Sequence, residues 1–191
     1  MKRAFIAILA AAWSLPASAE TSAWASAADR SSLTFAAVFD GVDFEGRFET
    51  FSVEVTADPE DAVTAGLDVR VTLASVNTEN EERDTALLEA EWFDVARHPE
   101  ARYVVKGLAP GVTRTWRANG ELSLKGRTAQ VPLEFDLGPA DGGVRLVGSL
   151  VLAGTAVVDR LAFAVGEGEW ADPELIGSEI QVSFDVVLVP R

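Results

Sequence analysis

The sequence contains no cysteine and a single histidine, His98. The first absence excludes disulfides, thiolate nucleophiles and zinc-thiolate sites; the second excludes any metal centre built from several imidazoles. Basic residues are also scarce, with 16 Lys and Arg against 30 Asp and Glu and a formal net charge of −14. A surface so acidic disfavours the phosphates of nucleic acid and anionic lipid headgroups. Beyond the N-terminus no apolar run approaches, without charges, the roughly 20 residues a membrane-spanning helix needs, so no spanning segment is expected. Internal repeats and low-complexity linkers are lacking too. Carboxylates are so abundant that a pair such as Asp84 and Asp94 does not stand out for acid-base work. The GEGEW stretch at 166–170 lacks the strand-to-helix setting of a phosphate loop. No catalytic residue, metal or catalytic cofactor is therefore expected, and the chain does not read as an enzyme.

What is present begins with a leader. Lys2 and Arg3 precede an apolar run over 4–15, and Ala17-Ser18-Ala19 supplies the small-residue cleavage pattern of a secretory signal peptide. Residues 1–19 are expected to be removed, leaving 20–191 as one exported domain, periplasmic in location. That length can bury a sizeable core without covalent staples, which fits the lack of cysteine in an oxidising destination.

The mature part reads as strands. Leu33, Phe35, Ala37 and Phe39 alternate with smaller residues up to Asp40-Gly41, a strong hairpin signal. Phe44 and Phe48 return on even positions, while Phe51, Val53 and Val55 fall on odd ones, which predicts a bulge or bend near 49–51. Residues 57–66 read as a loop. Leu67, Val69, Val71 and Leu73 then alternate with Asp68, Arg70 and Thr72, so one face is buried and the other meets water. Further strands are expected over 101–108, 116–124, 131–137, 144–155 and 180–189, with turns at 125–127 and 139–143. Pro132 lacks a donor and predicts local disruption or an edge. This spacing argues for an antiparallel sandwich or barrel. A membrane barrel is disfavoured by the long charged insertions at 57–66 and 80–99. Small residues on the apolar faces, Ala37, Gly46, Ala118 and Gly120, mean either close packing or room for a ligand.

One helical pattern interrupts the strands at 80–99. Thr78 and Glu81 have the spacing of a capping box, with Asn77 and Asn80 as rival caps, and the helix is expected over about 79–91. Ala86, Ala90 and Phe93 with Leu87 would share its apolar face. It would either pack on a sheet or lid a barrel. Pro99 ends the segment, and His98 reads as a helix-exit residue. The apolar wall or gate candidates are Phe35, Phe39, Phe44, Phe48, Leu87, Trp92, Phe93 and Phe163. The rim candidates are Arg83, Asp84 and Arg160, where Arg83 either meets a ligand headgroup or forms an ion pair with Glu79 or Asp84.

Taken together, 29–35 (DRSSLTF), Gly46-Arg47-Phe48 with Phe51, Asn80, Arg83-Asp84, Leu87 and Trp92-Phe93-Asp94 through Pro99, 120–126 (GELSLKG), and 159–163 (DRLAF) with 166–170 resemble the YceI-like family of exported, lipocalin-like, polyisoprenoid-binding proteins. The resemblance implies an all-β fold, an extended eight-stranded antiparallel lipocalin-like β-barrel with one short helical insertion, and an apolar channel for a long isoprenoid lipid. A polyprenyl phosphate and a ubiquinone-type quinone are equal candidates for that lipid. A membrane cytochrome or another membrane protein is the partner that some relatives suggest. The alternative from a different class is a dry β-barrel interaction module that binds a protein partner through its helix and loops.

Overall fold

The computed structural model describes residues 21–58, 61–111, 115–140, 146 and 148–191. The expected signal peptide lies outside them. Inward-pointing apolar residues at every second position give a run of strands, which in chain order are β1 (Ser22–Ser26), β2 (Ser32–Phe39), β3 (Val42–Phe48), β4 (Phe51–Asp58), β5 (Asp61–Thr72) and β6 (Val76–Asn77). After the helix α1 (Glu81–Leu88) come β7 (Glu100–Lys106), β8 (Ala109–Pro110), β9 (Thr115–Leu124), β10 (Arg127–Pro139), β11 (Leu150–Asp159) and β12 (Glu179–Pro190). Adjacent strands pair antiparallel, and β12 returns to β1, closing an eight-stranded barrel in the order β1-β4-β5-β7-β9-β10-β11-β12.

Two staves of this barrel are broken in the middle, which lengthens it. β12 pairs with β1 from Leu188 to Pro190 and with β2 from Gln181 to Asp185, so β1 and β2 are two halves of one stave. β3 and β4 form the next, and the predicted bend between them falls at Glu49 and Thr50. There the Glu49 N–H donates to Ser75 O and the Thr50 N–H to the Ser75 hydroxyl, both at 3.0 Å. This shift restores inward register for Phe51 and Val53 after Phe44 and Phe48. The Asp40-Gly41 and Lys125-Gly126 turns have positive φ at both residues (48° and 74°; 48° and 71°), the two-residue geometry that matches strand twist.

Two expectations need correction. The loop read at 57–66 is mostly strand, because Ala57 and Ala65 continue the inward alternation as small, fully buried residues. The strand expected over 144–155 begins instead at Leu150 and runs on to Asp159, while 144, 145 and 147 lie outside the described residues. At Pro132 the local disruption is real: the ladder with β11 stops at Leu133, whereas the ladder with β9 continues to Arg127. β10 and β11 part there, and the short 3-10 turn Arg160–Phe163 packs against β10.

The interior has two zones. At one end Trp24, Val55, Ala65, Phe135, Leu137, Leu150 and Leu188 pack as a dry core, with the Trp24 indole N–H donating to Gly148 O at 2.9 Å. The outer face carries charge, including Arg102 with Asp68, Arg70 with Glu100 and Arg117 with Glu134. Hydrogen bonding to Arg102 holds the Asp68 carboxyl below the usual carboxylate range. Such an exterior is the reverse of a lipid-facing barrel wall, and no helix among the described residues is long and apolar enough to cross a membrane.

The interior glycines serve close packing. A Cβ on Gly46 would lie 2.3 Å from the Phe35 ring and one on Gly120 2.3 Å from the Tyr103 ring. The Tyr103 hydroxyl is pinned, accepting from the Gly120 N–H at 3.1 Å and donating to Val131 O at 2.8 Å. Gly120→Ala is therefore expected to destabilise the barrel by about 1–3 kcal/mol through overpacking. Combining it with Tyr103→Leu should cost less than the two single changes summed, as urea unfolding of all four proteins will show.

Candidate ligand channel and its mouth

Above the dry core the inward faces do not meet. They enclose a channel of about 560 Å³, within the range of small-molecule sites. Its wall is almost wholly apolar, with Leu33, Phe35 and Ala37 from β2, Val69 and Val71 from β5, Leu122 and Leu124 from β9, and Ile180, Val182 and Phe184 from β12. Phe39, Phe44, Phe48, Leu87, Trp92 and Phe93, all expected from the sequence, also line it. Phe163 does not: it is 1% exposed and fills the core beside the channel, because the turn that carries it tucks under β10. The wall residues of β5 and β12 were not singled out from sequence, although their alternation carried the signal. Asn80, Glu82 and Trp170 at the mouth had no such signal.

Aromatic rings shape the upper channel. Phe35 contacts Phe44 and Phe48 at centroid distances of 6.5 and 5.6 Å, and Phe48 contacts Phe93 at 6.0 Å. Trp92 stands 5.9 Å from Trp170, whose indole N–H donates to the Glu91 carboxylate at 3.0 Å. This pair forms one side of the mouth.

The helix forms the other side, and it differs from expectation. It spans Glu81–Leu88 and is capped by Asn80, whose side-chain oxygen accepts from the Arg83 N–H at 2.9 Å. The Thr78–Glu81 capping box does not form, because Asp84 takes Thr78 instead: its Oδ1 accepts from the Thr78 N–H at 2.8 Å and from the Thr78 hydroxyl at 2.6 Å. Ala86 and Ala90 are exposed. The burial belongs to Leu87 and Phe93, which meet because the chain folds back after Leu88, with the Phe93 N–H donating to Leu87 O at 3.1 Å. His98 lies past this fold-back, its ring over the Gly126 turn, where a Cβ would come within 2.8 Å.

The rim cations have distinct roles. Arg160 reaches the channel wall, but its guanidinium acts as a clamp on the main chain.

 Arg160 is 3% exposed, and all its donors face main-chain oxygens: Nε to Gly177 O at 3.0 Å, Nη1 to Val165 O and Gly166 O at 2.9 and 3.1 Å, and Nη2 to Trp170 O and Ile176 O at 2.8 and 2.7 Å. A guanidinium has five N–H groups, so none is left for a headgroup. Burial pulls its pKa below the ordinary value, opposed by Asp159. The rim role expected of Arg160 is thus replaced by that of a clamp on the 160–177 loop. Lys125, missed in the sequence, acts similarly on Glu91 O, Ala164 O and Glu167.

Arg83 is different. Its Nε donates to the Thr78 hydroxyl at 2.9 Å and its guanidinium lies 4.2 Å from the Phe44 ring centroid. The expected pairing with Glu79 is absent, since Glu79 binds Arg47 at 3.1 Å. Asp84 is joined to Arg83 only through Thr78. Among the described residues, both Nη groups of Arg83 have no hydrogen-bond partner, and they stand at the mouth beside Asn80 and Glu82.

Replacing Arg160 by Met would leave five main-chain carbonyls, three of them on buried residues, without this donor. A loss of about 3 kcal/mol or more in urea unfolding is expected, with little rescue by Lys, whose ammonium cannot span the fork.

Comparison with known proteins agrees with this architecture. BcnA of Burkholderia cenocepacia shares 25% identity at a TM-score of 0.78, over 85% of this chain and 98% of that one. A polyisoprenoid binding domain from Saccharophagus degradans, implicated in plant cell wall breakdown, aligns at 16% identity and a TM-score of 0.69, covering 90% of this chain and 100% of that one. The YCEI protein of Campylobacter jejuni aligns at 22% and 0.64, over 76% and 84%. A search of curated proteins returns no match. The family model of the YceI-like domain matches residues 24–188, and the chain belongs to that family.

Proposed function

We propose that this protein is a periplasmic carrier that holds an isoprenoid lipid by its tail in the barrel channel. The observation that carries this reading is the apolar channel itself, open beside α1 and closed at the far end. A dry interaction module would fill that space with side chains. Burying aliphatic carbon is worth about 0.8 kcal/mol per methylene, so a few isoprene units offset the entropy of ordering them. The polyisoprenoid binding described for the Saccharophagus degradans domain supports the same ligand class.

The charge around the mouth favours an uncharged headgroup. The segments that form it, 40–49, 79–98, 125–127 and 159–179, are dominated by carboxylates. Their other cations are engaged: Arg47 and Arg97 with carboxylates, Arg127 and Lys125 with Glu167, Arg160 with carbonyls. Among the described residues a diphosphate would meet one arginine without a carboxylate partner, in a negative field, whereas a quinone-type oxygen could accept from the Arg83 Nη groups without that repulsion.

Native mass spectrometry of protein purified from its own periplasm is expected to show a co-purifying isoprenoid. Repeated recovery of empty protein that also takes up no prenyl lipid would refute the carrier reading. Arg83→Gln is expected to weaken a prenyl quinone roughly tenfold, by loss of one charge-assisted hydrogen bond. It should leave the unfolding midpoint nearly unchanged.

A further inference from the structure

On β4, β5, β11 and β12 the channel ends where the inward side chains pass from partly accessible to buried. Phe51, Val69, Ala156 and Phe184 line it and are partly accessible; Val53, Leu67 and Val186, one inward step deeper, and Leu152, two steps deeper past Gly154, line its floor and are buried, as is Leu133. The next inward residues, Val55, Ala65, Phe135, Leu150 and Leu188, are at most 2% exposed and belong to the dry core. A tail entering at the mouth therefore cannot leave at the far end.

The volume sets how much tail fits. An apolar cavity of about 150 Å³ accommodates benzene, or about 25 Å³ per carbon. At that density the 560 Å³ channel takes about 22 carbons, close to four isoprene units. We infer that the channel is a length gauge, which buries about four isoprene units of a prenyl tail and leaves any further units outside the mouth. This rests on the isoprenoid reading above and adds to it a limit set by the floor.

Two wall positions allow the gauge to be moved. Ala156, opposite Val182, faces the channel just above the floor; Phe there would add six carbons and remove about one isoprene unit of space. Phe184, opposite Gly154, is one inward step further along the same ladder, and Ala there would release about as much.

The test measures binding of geraniol, farnesol, geranylgeraniol, geranylfarnesol and solanesol to the mature chain, by displacement of a fluorescent prenyl probe. Each added unit up to geranylgeraniol is expected to tighten binding roughly tenfold or more, and longer tails to add less than about threefold. Ala156→Phe should move the break to farnesol and Phe184→Ala to geranylfarnesol. Affinity that keeps rising through solanesol, or a break unmoved by folded Ala156→Phe protein, overturns the gauge while leaving the carrier reading intact. Failure of every prenyl alcohol to bind overturns both.

Discussion

Closure of the sheet is the constraint on which the other features depend. Once β12 pairs with both β1 and β2, the wall has no free edge along that seam and its inward side chains share one enclosed space. That space must be filled by side chains or left as a cavity. Here it is divided: Trp24, Phe135 and their neighbours fill one end, while aromatic rings line the other without meeting. The charged outer ladders follow from the same alternation.

The mouth depends on buried cations satisfied by the main chain. Arg160 and Lys125 hold the 160–177 loop, the 89–98 segment and the β9–β10 turn together through carbonyl oxygens. Irregular loops leave such oxygens unpaired, and a guanidinium can satisfy several at once. With those loops fixed, Trp92 and Trp170 meet and the helix stands across from them. Arg83 is held by Thr78 and Phe44, and among the described residues its outer nitrogens have no hydrogen-bond partner.

Much of the wall was legible before the structure. The alternation on β2, β5, β9 and β10 gave the inward faces, and the parity change at 49–51 located the broken stave. Pro132 marked where β10 leaves β11. The 57–66 segment was misread because its charges and proline mask the inward alanines, Ala57 and Ala65, that keep the strands going. The helix was overextended because Ala86, Ala90 and Phe93 match a helical period that the fold-back after Leu88 does not continue.

The sequence by itself determined the strand alternation, the tight turns and the family pattern, since these depend on neighbours within a few residues. Tertiary structure alone decided which arginine is available. Arg83 and Arg160 look alike as motif residues, and only the distant carbonyls of 165–177 consume the donors of Arg160. It also decided the depth of the channel, because a floor exists only where buried residues from several staves, far apart in the chain, meet.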